Sequence, residues 1–289
     1  MRTRLGFILF MLLVIIGFTS CEKPDPDVVS LVIKGEIMFN LPDQDNNIPD
    51  QDYDLMECFN PNLTYGSITD IEGNIYKTIQ IGSQTWMAEN LKTTMYNDGT
   101  QIPNVTNNSL WITLKTGAYR WYDNDRSTYK NLYGALYNWY TVKTRKLCPT
   151  GWHVPSDEDW KQLEMTLGMT KWEANSWGEY PGIVSRGTDQ GNQMKATSWW
   201  IPWEGALDQG TNTSGFTALP AGESDWSGWS NGGPLVITST KFRGAGICTT
   251  WWESTSEGGG RAVITSDPGI IRGVFPAICG LSVRCLKDN

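Results

Sequence analysis

The sequence predicts a mixed fold in which short strands and loops outweigh helices, and three observations lead to this prediction. Residues 76–81 alternate in the way that a half-buried strand does. Residues 147–168 carry the signals of a turn, a strand and a helix in succession. Residues 177–260 are rich in glycine and tryptophan and have little helical periodicity, which is typical of loops joined by short strands.

The chain begins with a targeting segment. Arg2 and Arg4 precede an almost wholly apolar run at residues 5–18, which is short for a membrane-spanning helix but fits a signal peptide. Cys21 follows small residues in a pattern that resembles the acylation site of bacterial lipoproteins. We therefore expect residues 1–20 to be removed and the acylated Cys21 to anchor the chain in the membrane. An ordinary signal peptide or an uncleaved anchor is the alternative.

The next two segments precede the main domain. Residues 21–30 are predicted to be a polar tether, and their acidic residues resemble the surface-export signals of Bacteroidetes lipoproteins. The predicted location is therefore the outer membrane, with the domain exposed at the cell surface. Residues 31–67 are predicted to be an N-terminal extension with strand composition at 31–39 and a polar, acidic loop at 43–54. That loop could bind calcium but lacks the features of an EF-hand, so a solvated loop is preferred.

The most informative part of the sequence is a stretch of residues with fixed conformational preferences. Residues 149–151 predict a turn, and residues 152–154 predict a short strand, which a following proline ends. Ser156 and Asp159 approximate a capping box, so a helix should begin there and stop near Gly168. Nothing in this unit is obviously catalytic.

Weaker patterns place the remaining elements. Short helices are predicted at residues 87–92 and 134–143, and a helical turn at 192–196. The last strand is predicted at residues 282–286. No internal repeat occurs, so these elements are assigned to one domain.

Several blocks of sequence follow one another in an order that is characteristic of one family. They lie at residues 70–74, 81–92, 97–99, 134–140, 148–160, 215–222, 252–255 and 280–285. In these blocks the chain resembles the Fibrobacter succinogenes major paralogous domain, over roughly residues 68–287. The domain is accordingly assigned to residues 68–289.

The resemblance implies a fold related to C-type lectins and to sulfatase-modifying factors. Such a fold is an α+β domain with short, twisted antiparallel sheets, about two main helices and long loops rich in glycine and tryptophan. It implies no activity, because a fold does not determine a function. Cys148 and Cys285 both lie in family blocks, so a disulfide is predicted between them. Cys248 and Cys279 are a second predicted pair, which would leave Cys58 over. Metal ligation by cysteines is the competing interpretation.

Twelve of the fifteen tryptophans fall into two sets. Those in family blocks are predicted to lie in the core, and they are Trp86, Trp139, Trp152, Trp160 and Trp252. The second set occurs in polar loops and consists of Trp172, Trp177, Trp199, Trp200, Trp203, Trp226 and Trp229. Aromatic rings in such loops can stack on sugars, and nearby acids can bind hydroxyl groups. The predicted ligand-binding residues are Glu223, Asp225, Trp226 and Trp229, followed by Trp199, Trp200 and Trp203. The alternative is that these rings only order the loops by packing.

Several classes of function are disfavoured. Residues 1–20 contain two of the 23 Lys and Arg residues and no Asp or Glu, so their removal changes the net charge from −8 to −10. No basic run is longer than two residues, which argues against a nucleic-acid partner, since such a partner needs clustered positive charge. His153 is the sole histidine and lies in the predicted strand, so we interpret it as structural. No catalytic motif occurs, although a pair of catalytic carboxylates leaves no sequence signature. The thiol chemistry of sulfatase-modifying relatives has no counterpart here, and the segment after Trp252 departs from the calcium motif of sugar-binding lectins.

The sequence therefore predicts a lipid-anchored binding protein of the cell envelope. The favoured ligand is a glycan bound through aromatic loops, with an envelope or surface protein as the next candidate. A structural or adhesive component, such as an appendage tip subunit, is the second class of function, and an enzyme is the third. No cofactor is expected, and a structural calcium ion remains an open alternative.

Overall fold

A computed structural model describes residues 32–33, 36–37, 55–176, 185–202, 210–224 and 242–288. The chain divides into two compact units, residues 1–51 and residues 52–289. In the first unit, the described residues are two short antiparallel strands, β1 (Val32–Ile33) and β2 (Glu36–Ile37). The predicted lipidation site at Cys21, the tether and the acidic loop lie outside the described residues.

The described part of the second unit contains short helices. They are α1 (Asn108–Trp111), α2 (Arg126–Tyr133), α3 (Trp139–Lys143), α4 (Asp157–Thr166), α5 (Lys171–Asn175) and α6 (Gln190–Met194). Two 3-10 helices occupy Leu55–Cys58 and Tyr122–Asn124. Among these helices only α2 and α4 have eight residues or more, in agreement with the prediction of about two main helices.

Thirteen described strands complete this unit. They are β3 (Gly66–Thr69), β4 (Ile75–Ile81), β5 (Gln84–Met87), β6 (Tyr119–Arg120), β7 (Leu136–Tyr137), β8 (Trp152–His153), β9 (Ser185–Arg186), β10 (Ala221–Ser224), β11 (Phe242–Ala245), β12 (Cys248–Trp252), β13 (Gly259–Ile264), β14 (Ile270–Val274) and β15 (Leu286–Lys287). The mixture of short helices and largely antiparallel strands confirms an α+β fold.

The strands form two main sheets. One sheet has five strands in the order β3-β4-β5-β15-β8, and the other has six in the order β11-β10-β12-β13-β14-β9. Strands β6 and β7 form a separate pair. All strand pairs are antiparallel except β10 with β12. In the five-stranded sheet the last strand, β15, lies between β5 and β8. The pairing of β15 with β5 brings the start and the end of the family region together, and β8 joins the predicted turn, strand and helix unit to them.

The core of the domain is built largely from aromatic side chains. Ring centroids 4.9 to 5.9 Å apart join Trp86, Trp160, Phe216 and Trp251. Of the five tryptophans predicted to lie in the core, four are buried and Trp152 is half-buried. Edge-to-face and tilted contacts of this kind favour aromatic pairs beyond their burial alone.

The unit of turn, strand and helix has the predicted form. The Ser156 hydroxyl accepts from the Asp159 amide, and the Asp159 carboxylate accepts from the Ser156 amide, so a complete capping box begins α4. The helix ends at Thr166, and Gly168 follows with a φ of 103°, which a residue with a Cβ rarely adopts.

Two helix predictions are wrong in whole or in part. The segment after Met87 is not helical, because Ala88 donates its amide to Lys77 and Leu91 donates to Val283. The predicted helix at 134–143 is shortened to α3, because the Tyr137 amide donates to the Leu281 carbonyl and makes this part a strand. In both places long-range main-chain hydrogen bonds replace the local helical ones. The last strand begins at Leu286, later than predicted.

The cysteines follow one of the two predicted pairings. Cys148 and Cys285 form a disulfide with their Cα atoms 5.9 Å apart. The predicted pairing of Cys248 with Cys279 is wrong, because both are present as thiols. Cys279 belongs to a buried core cluster, whereas Cys248 lies on β12 beside Gly244 of β11. Cys58 is a buried thiol.

Candidate functional site

Three of the seven predicted ligand-binding residues lie in the described part of the chain. They are Trp199, Trp200 and Glu223. The other four, Trp203, Asp225, Trp226 and Trp229, lie outside the described residues, and their predicted role stays a prediction. The structure therefore describes the predicted site only at Trp199, Trp200 and Glu223 and in their immediate surroundings.

Strand β11 connects the two predicted groups. The Ile201 amide donates to the Gly246 carbonyl at 2.7 Å, directly after β11, and the Gly246 amide donates to Pro220 at 2.9 Å. Glu223 on β10 stands opposite Arg243 in the β10–β11 pair. The residues near Trp199 and those near Glu223 thus lie toward opposite ends of one edge strand.

The two described tryptophans have different surroundings. Trp200 is 9% exposed, and its indole N–H donates to the Ala218 carbonyl at 3.0 Å. The Lys195 ammonium lies over its ring, so Trp200 is a packed core residue. Trp199 is 37% exposed and has a φ of 74°. A large aromatic residue in the left-handed region is an outlier, and such strain is often found at functional sites.

Glu223 is buried beneath the edge of the sheet. Its side chain is 2% exposed, and the Thr250 hydroxyl donates to Oε2 at 3.1 Å. Burial raises the pKa of Glu223 to about 7, although the Thr250 hydrogen bond and the charge of Arg243 oppose the shift. The Cys248 thiol is close enough for its pKa to be raised, first by burial and then by Glu223. Glu223 is therefore a buried residue of the sheet, and its carboxyl group does not reach solvent.

A row of aromatic rings covers the outer side of this edge. We define the aromatic row as Phe242, Tyr122, Tyr129 and Tyr133. Successive ring centroids are 5.4, 5.1 and 5.6 Å apart, and the last pair is stacked at 12°. Phe242 and Tyr129 are half-buried, whereas Tyr122 and Tyr133 are buried. Part of two ring surfaces therefore faces solvent.

Gly222 allows the aromatic row to approach the sheet. A Cβ atom at this position would lie 2.6 Å from Cε2 of Tyr122 and 2.5 Å from the Arg243 carbonyl oxygen. The residue also has a φ of 67°. A side chain here would push Tyr122 off the sheet, so the glycine is a condition for this packing.

Two polar residues beside the aromatic row have unusual backbone angles. Asp123 and Asn124 follow Tyr122 with φ values of 51° and 58°, and both are exposed. Partial burial, and then the charge of Asp125, raise the pKa of the Asp123 carboxyl. The Asn124 amide nitrogen donates to the Thr106 carbonyl at 3.4 Å. The Asp123 carboxyl and the Asn124 side-chain oxygen, directly after Tyr122, are the atoms suited to hydroxyl groups of a ligand.

Arg120 contacts Phe242, which lies at one end of the aromatic row. Its guanidinium lies 3.9 Å from the Trp111 ring centroid and 5.2 Å from that of Phe242, and it is 0% exposed. It also donates to the Asn108 carboxamide at 3.0 Å. Cation–π contacts of a desolvated guanidinium are among the stronger ones, so Phe242 is positioned firmly.

The sequence analysis missed the aromatic row. One signal was available, because Tyr129 and Tyr133 are four residues apart and lie on one face of α2. No signal linked them to Tyr122 or Phe242, since that contact depends on the folding of β11 onto β10. Across the described ranges, no group of three or more His, Cys, Asp or Glu residues could hold a metal ion.

The geometry can now be set beside known proteins. A family model for the Fibrobacter succinogenes major domain matches residues 79–287, which is more than half of the chain. The chain belongs to this family. The match includes the disulfide, both main sheets except β3 and part of β4, and the aromatic row. The Fibrobacter succinogenes major domain family is surface-associated and paralogous, and membership assigns neither a ligand nor a reaction.

Two further observations complete the comparison. Neither the curated proteins nor the solved structures gave a match to this chain. Among the described residues, no helix has both the length and the apolar character needed to cross a bilayer. The function must therefore be argued from the site.

Proposed function

We propose that this protein is a lipid-anchored binding protein of the outer membrane surface and that its domain binds glycans beside strand β11. The observation that carries the proposal is the aromatic row with the exposed Asp123 and Asn124 next to it. The ring surfaces of Tyr129 and Phe242 would stack on the apolar face of a sugar, and the carboxyl and amide would hydrogen-bond its hydroxyl groups. The exposed Trp199 extends the same edge.

A relation to C-type lectins is part of this proposal. An α+β domain of short sheets and long loops supports it, and the surface is formed by a loop and an edge strand on a packed scaffold, as binding sites often are. Among the described residues, no group of three or more His, Cys, Asp or Glu could hold a metal ion, and the proposed contacts are aromatic stacking and hydrogen bonds. The predicted binding residues Trp226 and Trp229 follow β10 in the sequence and lie outside the described residues.

The binding proposal is tested by tryptophan and tyrosine fluorescence of the full chain in detergent, titrated with a panel of neutral and acidic polysaccharides. A saturable change for one glycan, unaffected by a calcium chelator, is the expected result. A flat response across the panel from the folded protein would contradict glycan binding.

The most discriminating variant is Asn124→Gly. Glycine adopts positive φ without strain, so the fold should be kept, with a change in the free energy of unfolding of no more than about 1 kcal/mol. Removal of the amide should weaken glycan binding about tenfold, in line with about 1.4 kcal/mol for a hydrogen bond. Arg145→Gly is the matched control, because Arg145 is also exposed and left-handed (φ 58°) but lies after α3. Equal affinities of the two variants would exclude Asn124 from the site.

The anchoring proposal has its own test. Metabolic labelling with a fatty acid should mark the chain, and Cys21→Ser should abolish the label. Protease added to intact cells should remove the domain if it faces outward. A chain that is labelled but protected from protease would place the domain on the inner side of the membrane.

A further inference from the structure

A cleft in the five-stranded sheet shares no lining residue with the aromatic row. It has a volume of about 270 Å³ and is open to solvent. Its lining comes from three places, namely β3 with the turn after it, the segment 93–97, and the motif turn 147–150. Strands β3 and β8 are the two edges of the sheet, and the motif turn directly precedes β8. The sheet therefore curls so that one cleft lies between its two open edges.

Strand β3 presents unused main-chain groups at this edge. The Asp70 amide donates to the Asn74 carbonyl, and hydrogen-bonded pairs alternate along an antiparallel ladder. Gly66 and Ile68 therefore face β4, whereas Ser67 and Thr69 point their N–H and C=O groups outward. Within the described part of the chain no hydrogen-bond partner is seen for these outward groups. Such groups, spaced along an edge, match the main chain of another strand.

The opposite wall of the cleft is held rigidly. Cys148, between Leu147 and Pro149, is bonded by the disulfide to Cys285, the residue directly before β15. The Asn97 side chain donates to the Cys148 carbonyl at 3.0 Å, and the Asn97 amide donates to Lys146 at 2.8 Å. A rigid wall lowers the entropic cost of binding, because the loops need not be ordered by the ligand.

The lining offers no charged group that lacks hydrogen-bond partners. Asp70 is the only ionisable residue among those that line the cleft, and its two oxygens already accept from the Glu72 and Asn74 amides, the Asn74 side chain and the Tyr76 hydroxyl. At the rim, Lys146 and Asp98 pair with each other at 2.8 Å. An uncharged occupant therefore complements this site, since a charged one would find no partner.

The apolar part of the lining sets the character of the side chains that would fit. Ile68, Ile71, Met95, Leu147 and Pro149 face the cleft, and Ile71 is 52% exposed. The volume is slightly below the roughly 300–1,000 Å³ that is usual for sites enclosing a small molecule. It suits one or two side chains of a segment that continues past the cleft on both sides.

We propose that this cleft binds an extended, uncharged segment of a partner protein, which adds as a strand alongside β3 and places apolar side chains between β3 and the motif turn. This site is separate from the glycan surface beside β11. It assigns a role in partner binding to the turn at 147–150, and this role does not depend on the proposed glycan binding.

The test uses fluorescein-labelled, capped hexapeptides in which threonine alternates with valine, leucine or isoleucine, with anisotropy measured against the full chain in detergent up to millimolar protein. At least one peptide should bind saturably, and its fully N-methylated form, which cannot form the strand hydrogen bonds, should bind at least tenfold more weakly. Failure of all the peptides to bind, or equal binding of the methylated form, would overturn the proposal.

Variants locate the binding. Ser67→Pro removes an outward N–H without removing a ladder hydrogen bond, and proline is tolerated on edge strands, so the fold should be kept. It should weaken peptide binding at least tenfold, whereas Ser67→Ala should bind like the parent. Thr150→Phe fills the cleft from its exposed rim and should also block binding, which covers the case in which Ser67→Pro fails to fold. Peptide binding that survives both Ser67→Pro and Thr150→Phe, or that is displaced by a neutral oligosaccharide, would refute the site.

Discussion

Two buried glutamates show that the same side chain can be accommodated in opposite ways. Glu164, on α4, is 0% exposed and accepts from Arg186 at 2.6 and 3.0 Å and from Arg261 at 2.6 Å. Glu223, on β10, is 2% exposed and accepts a hydrogen bond from the Thr250 hydroxyl across the sheet at 3.1 Å. The first carboxylate is surrounded by positive charge, and the second lies where its charged form is disfavoured.

The network around Glu164 extends to a second acid. Arg261 also donates to Asp157 at 2.8 Å, and Arg272 donates to the same carboxylate at 2.6 Å. Burial alone would raise the pKa of Asp157, but Arg261 and Lys161 outweigh it and lower the pKa to about 2. These pairs fasten α4 to β9, β13 and β14. The packing of one end of the six-stranded sheet, at β13, β14 and β9, therefore depends on ion pairs. The packing of the β11 end depends on a protonatable carboxyl group and on aromatic contacts.

The largest expected effect is at Glu164. Glu164→Gln keeps the shape but leaves two buried guanidinium groups without a shared counter-charge, so the free energy of unfolding should fall by about 3–5 kcal/mol. Urea denaturation measures this change. Glu158→Gln on the same helix is the control, because that side chain is 80% exposed and pairs only at the surface with Lys161, and its effect should stay within about 0.5 kcal/mol. If both variants lost the same amount, the network would not be what stabilises this region.

Glu223 should give the second effect, and its sign depends on pH. The folded-state pKa of about 7 lies above the ordinary value of 4.5, so the stabilising contribution is complete below pH 4.5 and is lost as the pH rises through about 7. Glu223→Gln stays neutral at every pH. Relative to the parent, the variant should therefore gain on the order of 3 kcal/mol between pH 4.5 and pH 9, taking about 1.36 kcal/mol for each pKa unit.

The measurement for Glu223 is the difference in unfolding free energy between variant and parent at several pH values, which cancels the other titrating groups. The exposed Glu257→Gln serves as the control substitution. If the difference in unfolding free energy does not change between pH 4.5 and pH 9, the folded-state pKa of Glu223 is not raised. The contrast between the two regions would then disappear.

The smallest effect is expected at His153, which is partly exposed. Its Nδ1 lies 2.6 Å from Asp288, and its Nε2 lies 3.3 Å from Asp159. The Asp159 hydrogen bond, which outweighs partial burial, and the Asp288 hydrogen bond raise the pKa of His153 above 6.5. The resulting stability is present below pH 6.5 and is lost as the pH rises through the raised pKa, and solvent screening keeps it below about 1 kcal/mol.

Proton NMR can follow His153 directly, because it is the only histidine in the chain. Asp288→Asn should lower its pKa toward 6.5, and Asp98→Asn, on a distant exposed pair, should leave it unchanged. A His153 pKa at or below 6.5 in the parent would show that neither carboxylate holds the ring.

Local signals predicted the parts of the fold whose conformation is set by nearby residues. The capping box at Ser156 and the stop at Gly168 define α4 almost completely, since both act within one helical turn. The helix predicted after Met87 failed for the opposite reason, because Ala88 and Leu91 donate their amides to residues distant in the chain. The aromatic row was not predicted from the sequence, and of the predicted binding residues that the structure describes, Glu223 and Trp200 are buried and Trp199 is exposed. The other four lie outside the described residues, and their role stays a prediction.

The sequence by itself determined the family, the α+β class, the first disulfide and the tryptophans of the core, because these are set by ordered blocks and by the apolar character of single residues. Only the tertiary structure decided the surroundings of the polar groups. Whether a glutamate meets two arginines, as Glu164 does, or one hydroxyl, as Glu223 does, depends on strands that come together from distant parts of the chain. The same is true of Phe242 beside Tyr122 and of the cleft between β3 and the motif turn, because contacts across a sheet follow from strand order, which no local pattern records.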